Sequence, residues 1–251
     1  EQQEGLTPKP LRSSLKRKQS VKEMSNINLH LGDCLEAMKE MPDNTYDLAI
    51  VDPPYGGVKG KNIPNHSKNK GIYDGFKEKG WNVRPKKEYF VELKRVSKNQ
   101  IIWGGNYFEE LWLGQSNRGF IFWDKIQGSS NNHADGELAW TSFDKNAKLF
   151  KYCWSGNRYG FERSIEGVGK PSKRIHPTQK PVKLYEWLLD NYAKEGDKIL
   201  DTHLGSGSIA LACHNRKFDL DGWEIDEEYY NNAVERLDTH KSQLTIFDLG
   251  G

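Results

Sequence analysis

Short apolar, β-rich runs alternate along this chain with stretches of helical period, and that alternation restricts the fold more than any other feature. Runs at 28–31 (NLHL), 47–51 (DLAIV), 99–103 (NQIIW), 119–123 (GFIFW), 137–141 (ELAWT), 197–201 (DKILD) and 218–222 (FDLDG) read as strands. Helical patterns fit 33–40, 86–97, 180–193, 206–215 and 226–240. Within 180–193, Val182, Leu184, Tyr185, Leu188, Leu189 and Tyr192 return at spacings of three and four, a stripe expected to face a core. Alternating β and α units predict an α/β fold, a doubly wound and mostly parallel sheet of seven strands with helices on both faces.

The size suits one domain. At 251 residues the chain has room for a small insert, and eight Trp, eleven Tyr and ten Phe supply large buried area to a composition only 35% hydrophobic. No run of 18 apolar residues occurs, which predicts no membrane span, and the first residues lack the apolar stretch of a signal peptide. Three scattered cysteines, Cys34, Cys153 and Cys213, fit a reducing, cytoplasmic setting rather than a disulfide framework. Residues 1–24 are polar and basic (Lys16-Arg17-Lys18) and read as a flexible tail, with ordered sequence starting just after Met24. Residues 25–251 are expected to form the single domain.

Charge is unevenly spread. Residues 56–87 hold nine Lys/Arg against two acids, and 144–175 hold eight against three, in a chain whose net charge is only +2. Such asymmetry is a footprint for a polyanion, although a pair of solvated loops would look the same. Three stretches fall outside the βα alternation: 56–84, 124–136 and 144–175. The basic ones also carry aromatics, Tyr73, Phe76 and Trp81 in one and Tyr152, Trp154, Tyr159 and Phe161 in the other. Basic groups can hold phosphates while rings stack on bases, or the rings merely anchor the loops.

The sharpest local signal is Asp52-Pro53-Pro54-Tyr55, directly after the strand ending at Val51. In open α/β sheets ligands bind beyond the carboxyl ends of the strands. Two prolines stiffen that turn and leave its carbonyls without a competing N–H. A carboxylate, rigid carbonyls and an aromatic ring suit a flat amino-bearing base, held through its NH₂ and stacked on its face. A proline-stiffened turn with a structural tyrosine is the plainer alternative.

A second element follows another strand: Asp201-Thr202-His203-Leu204-Gly205-Ser206-Gly207-Ser208. Its glycines let backbone approach a ligand, and the helix it opens presents free N–H groups. Glu224 closes the next strand, placed to accept from ribose hydroxyls. Gly205-x-Gly207-x-x-Ala210 followed by an acid also fits the dinucleotide fingerprint, so a nicotinamide oxidoreductase is a rival. No metal is expected, since Cys213-His214 has no ligand partner at usable spacing.

Together these elements resemble the DNA amino-methyltransferases, whose catalytic tetrapeptide is (D/N/S)PP(Y/F/W) and whose S-adenosylmethionine loop is DP(F)xGSGT. Thr202 and His203 stand where Pro and Phe are usual in that loop. Gly32-Asp33-Cys34-Leu35 and His176-Pro177-Thr178-Gln179-Lys180-Pro181 also look like family signatures. The tetrapeptide precedes the cofactor loop, the permuted order of the family's β group. The resemblance spans residues 28–125 and 176–240, and it implies a Rossmann-like methyltransferase fold with 137–141 as an antiparallel partner at one edge. It implies a catalytic half at 25–143, a target-recognition insert at 144–175, with loop 56–84 also facing DNA, and a cofactor half at 176–243.

By the same resemblance, Asp52, Pro53, Pro54 and Tyr55 carry catalysis. Asp33, Cys34 and Leu35 meet the cofactor's adenine, and His176 and Lys180 lie near its methionine carboxylate. Asp201, His203, Leu204, Gly205, Ser206, Gly207 and Glu224 complete the S-adenosylmethionine site. As single residues, Asp33 reads equally well as a helix N-cap, and His176 and Lys180 as surface groups. The partner implied is DNA, met through a short recognition site or through a homodimer sharing the contacts. Asp at the first tetrapeptide position points to N6 of adenine; N4 of cytosine, a non-catalytic DNA-binding subunit and an RNA substrate are the alternatives. A cytosine-C5 enzyme would need a Pro-Cys pair, and the chain has none.

Overall fold

The computed structural model describes residues 25–56, 83–113, 118–126, 134–155, 158–159, 175–176 and 178–248. The basic tail, Tyr73, Phe76, Trp81 and Phe161, and the side chain of Tyr159, lie outside what is described.

The seven expected strands all form. In chain order they are β1 (Ile27–Leu31), β2 (Tyr46–Val51), β3 (Ser97–Trp103), β4 (Phe120–Asp124), β5 (Gly136–Thr141), β9 (Lys198–Asp201) and β10 (Asp219–Glu224). Three short strands precede the last two: β6 (Lys148–Lys151), β7 (Trp154–Ser155) and β8 (Arg158–Tyr159). The helices are α1 (Cys34–Lys39), α2 (Lys87–Val96), α3 (Val182–Tyr192), α4 (Ser208–Arg216) and α5 (Glu227–Asp248).

The main sheet has eight strands in the order β1-β10-β9-β2-β3-β5-β4-β6. Every neighbouring pair is parallel except those made by β5, which runs antiparallel to both β3 and β4. The antiparallel strand is therefore inside the sheet rather than at its edge. Its Ala139, Trp140 and Thr141 are buried, as an interior position requires. The edge belongs to β6, which the sequence hides: Lys-Leu-Phe-Lys is short and closed by a lysine at each end, a composition that discourages further strand pairing.

Both faces of the sheet are covered. Leu48, Ile50, Ile101, Trp103, Ile121 and Trp123 pack with α3 and α4 on one side. Ala49, Val51, Ile102 and Trp140 pack with Met38 of α1 and Tyr89, Phe90 and Leu93 of α2 on the other. The unbroken apolar run Leu48–Val51 is what a parallel strand buried on two faces needs. The predicted stripe on α3 faces the core as expected. Helix α4 is buried along its first two thirds, Ser208–Cys213. It ends on Lys217 in left-handed geometry (φ 58°), whose N–H bonds the Cys213 and His214 carbonyls.

Four strands are tied together by Asp221 on β10, whose carboxylate accepts from Tyr46 Oη (2.9 Å), Asn28 Nδ2 (2.8 Å) and Lys198 Nζ (2.6 Å). Among the described residues, no helix is long and apolar enough to cross a membrane.

Candidate active site

From β9 the chain proceeds to β10 on one side, and from β2 to β3 on the other. The direction of winding therefore reverses between the adjacent strands β9 and β2, and a crevice opens beyond their carboxyl ends. Asp201 is the last residue of β9, and Asp52 is the first residue after β2. Two carboxylates distant in sequence thus flank one crevice.

Both carboxylate oxygens of Asp52 are engaged. Tyr55 Oη donates to Asp52 Oδ1 at 2.7 Å, and Lys180 Nζ donates to Asp52 Oδ2. Lys180 also faces Glu137 Oε2 at 3.1 Å, and Lys125 Nζ donates to Glu137 Oε1 at 2.5 Å. Burial acts to discharge the Lys180 ammonium, but Asp52 and Glu137 more than offset it and hold its pKa above the ordinary lysine value. Burial likewise opposes ionisation of Glu137, yet Lys180 and Lys125 pull its carboxyl down to about 2. Acid and lysine thus alternate in a row, Asp52–Lys180–Glu137–Lys125, in a largely desolvated place.

Tyr55 sits on a bed that only glycine permits. Gly104 follows β3 at φ 66°, and a Cβ there would lie 2.0 Å from Tyr55 Cε1. Tyr107 stacks on the Tyr55 ring (centroids 4.8 Å apart, planes at 18°), and Phe108 meets it edge-on at 6.1 Å. Pro53 is buried and Pro54 half-buried beneath this arrangement.

The second half of the crevice is the glycine loop. Gly205 (φ 52°) and Gly207 (φ 70°) both adopt left-handed geometry, and Gly207 caps α4. Glu224 pins the loop by accepting from the Gly205 N–H at 2.7 Å, and it also takes the Asp226 N–H at 3.0 Å. Two lone-pair directions on that carboxylate are thereby used, which leaves capacity for hydroxyl donors. Asp201 accepts the His203 N–H at 3.0 Å; burial raises its carboxyl to about 8, with Asp52 and Glu224 adding to the shift.

Thr202 and His203, the two departures from the usual loop, form an internal polar chain. Thr202 Oγ1 lies 2.6 Å from Tyr89 Oη and 2.9 Å from His203 Nδ1. Burial lowers the His203 imidazole to about 4, so it is neutral at physiological pH. Leu204 is buried, its N–H donating to the Trp223 carbonyl at 2.8 Å. Ser206 Oγ is 3.1 Å from Ser208 Oγ.

The remaining predicted residues border the same crevice with differing local duties. Asp33 caps α1, accepting from the Leu35 N–H at 2.8 Å, so both its readings are compatible with one geometry. Burial pushes the Cys34 thiol up to about 12, with Asp33 and Asp201 contributing, which keeps it protonated. His176 is buried against Tyr229 (centroids 4.4 Å) and within 3.6 Å of where a Cβ on Gly205 would sit. Lys180, expected near the methionine carboxylate of the cofactor, places its ammonium against Asp52.

Several residues went unsuspected. Glu137 and Lys125 emerge only because β5 enters the sheet antiparallel, bringing its first residues to the carboxyl edge beside the end of β4. Gly104 had a visible signal, the Gly104-Gly105 pair after an apolar strand.

A doubly wound sheet with a glycine loop at its switch point is where α/β folds bind nucleotide-like ligands, and the carboxylate-proline-aromatic turn beside it suits an amino-bearing base. A family model for N6/N4 DNA methylases matches residues 78–235, and the chain belongs to that DNA methylase family. The chain is 28% identical over 250 residues to the type II methyltransferase M.HpaI of Haemophilus parainfluenzae, covering 86% of this chain and 74% of that one. It is 25% identical to the type II methyltransferase M2.MboI of Moraxella bovis, over 74% of this chain and 78% of the relative.

Solved structures agree on the fold. The complex of M1.HpyAVI with S-adenosylmethionine superposes with a TM-score of 0.53 at 22% identity, covering 84% of this chain and all of that one. PvuII DNA methyltransferase (cytosine-N4-specific) gives 0.53 at 14% identity, over 88% and 93%. Family membership removes the nicotinamide reading of the glycine loop.

Proposed function

We propose that this chain, a site-specific DNA methyltransferase of the N6/N4 family, methylates N6 of adenine in a base drawn out of the duplex. The observation that carries the reading is Asp52, held on a proline-stiffened turn beside a stacked tyrosine at the end of β2, the strand that adjoins β9 and its glycine loop. Bound S-adenosylmethionine supplies an electrophilic methyl group. Gly205, Ser206, Gly207 and Leu204 would cradle it, with Glu224 and Asp33 as hydroxyl and amine acceptors, and Asp201, His203, Cys34, Leu35 and His176 lining its place.

The chain's own part is orientation and charge. Asp52 and the Pro53 carbonyl accept from the exocyclic NH₂ and turn its lone pair toward the methyl donor. As the nitrogen gains its fourth bond it becomes positive, and the fixed carboxylate stabilises that charge best in a dry site. The surplus proton leaves the nitrogen for Asp52 and then solvent. Tyr55 supplies the stacking face, and extrusion of the base costs a few kcal/mol. No step needs a metal.

The domain reading is a catalytic half (25–143) and a cofactor half (176–243) within one domain of residues 25–251. Strand β6 continues the main sheet into the start of the 144–175 insert; base contacts are assigned by this reading to the rest of that insert and to loop 56–84, most of which lie outside the described residues. A homodimer would enlarge that small recognition surface.

The test is incubation with unmethylated DNA and methyl-labelled S-adenosylmethionine, digestion to nucleosides and identification of the labelled base by mass, with Asp52→Ala alongside. N6-methyladenine that disappears in the variant supports the reading. N4-methylcytosine keeps the mechanism and overturns the base. Transfer to neither base, with cofactor bound, overturns the catalytic reading.

A further inference from the structure

Lys180 is placed as few lysines are. Its side chain is 4% exposed and its ammonium lies between the carboxylates of Asp52 and Glu137. Trp103 presents its ring face 5.5 Å from Nζ. The Lys180 carbonyl accepts from Ser208 Oγ at 2.7 Å, fastening its backbone to the start of α4. Glu137 competes with Asp52 for the ammonium, so Lys180 cannot give its whole charge to Asp52. An ammonium so constrained is a donor aimed before any ligand arrives.

We infer that Lys180 reads the target base: Asp52 and Lys180 present an acceptor and a donor side by side, so that Asp52 takes the exocyclic N–H while Lys180 donates to the neighbouring ring nitrogen. This rests on the adenine reading above, in which that nitrogen is N1. An ammonium has three N–H groups; one is on Asp52, one faces Glu137, and the third is the donor assigned to the base. Adenine shows amine and bare nitrogen next to one another on its Watson–Crick edge, and so does cytosine. Guanine and thymine show oxygen and N–H in those places. They would set oxygen against the Asp52 carboxylate and N–H against the ammonium, two unpaired and repulsive contacts. Lys180 thus selects amino bases over oxo bases at the moment of docking, and a buried donor left without its acceptor rejects analogues that lack it.

The test removes the acceptor and the donor in turn. The methylated sequence is first mapped on genomic DNA, and duplexes are built with adenine or 1-deazaadenine at the target position. The analogue keeps the NH₂ and replaces N1 by C–H. Single-turnover transfer is compared for the native protein, Lys180→Met and Lys180→Gln, whose amide restores a donor. The preference for adenine over the analogue should fall by about tenfold in Lys180→Met, the worth of a hydrogen bond from a charged donor, and return in part in Lys180→Gln. Differences in intrinsic reactivity and in base pairing are common to all three proteins and cancel. If Lys180→Met does not turn over, the same ratio is read from duplex affinity with S-adenosylhomocysteine present. An unchanged preference in Lys180→Met, by rate or by affinity, overturns the inference. Methylation of cytosine by the native protein would instead overturn the adenine reading, and the comparison then moves to 3-deazacytosine.

Discussion

Gly104 and Tyr55 are so close that a Cβ on the glycine would fall 2.0 Å from the tyrosine ring. Gly104 also holds φ 66°, where other residues are strained. Gly104→Ala is therefore expected to displace the Tyr55 ring. A shift of about 1 Å in a positioning group can cost roughly a hundredfold in rate, so kcat should drop by about that factor while cofactor affinity, set across the crevice, stays within about twofold. Single-turnover rates and S-adenosylmethionine titration check the split. Equal losses in both would show that the substitution damages the fold instead.

The Tyr55 hydroxyl and the Tyr55 ring have separable duties. The hydroxyl occupies Asp52 Oδ1 at 2.7 Å, an oxygen that the proposed mechanism gives to the target amine. Tyr55→Phe keeps the stacking face and frees that oxygen, and should retain activity within a few-fold. Tyr55→Ala loses a base-stacking contact worth about 1–3 kcal/mol, so kcat/KM for DNA should fall by roughly ten- to a hundredfold. A severe loss in Tyr55→Phe would assign the hydroxyl a chemical duty.

Cofactor binding should be linked to protons. Asp201 has its carboxyl raised to about 8 by burial, with Asp52 and Glu224 adding to it. A cationic ligand favours the ionised form, so binding below about pH 8 releases a proton and affinity rises with pH up to that point. Calorimetry in buffers of different ionisation enthalpy should record this release for the native protein and lose most of it in Asp201→Asn. Without ligand the sign is opposite. A raised carboxyl contributes stability below its unfolded value, lost as pH rises toward 8, so Asp201→Asn should raise Tm more at pH 9 than at pH 5.

Asp221 should act on stability and leave chemistry alone. Its carboxylate is held down by Lys198, Asn28 and Tyr46 against the opposing effect of burial. Asp221→Ala leaves Tyr46 Oη buried without that partner and should cost about 2 kcal/mol. Because the folded-state value is depressed, this contribution is present above the unfolded carboxyl value near 3.8 and disappears as pH falls below it. Urea unfolding at pH 7 and pH 3 measures both, and equal stability of variant and native protein at pH 7 would refute the assignment.

Much of the architecture was legible because its signals are local. Strand runs such as Asp47–Val51 and the stripe on α3 report burial directly through hydrophobic pattern, and both formed where expected. Strand β6 was not legible, since an edge strand one residue from solvent carries lysines that read as loop. The interior place of β5 was missed for a related reason. A strand's sequence states how deeply it is buried, but not which neighbours bury it or in which direction it runs.

The sequence by itself determined the βα alternation, the Asp-Pro-Pro-Tyr turn at 52–55, the glycine loop at 205–207 and their order, because each depends on neighbouring residues and backbone limits. Only tertiary structure decided that Lys180 serves Asp52, across 128 positions, and that Glu137 joins them. Those contacts depend on which strands lie side by side and on the reversed run of β5. A buried charge takes its meaning from the charges packed against it, and no local pattern records which those will be.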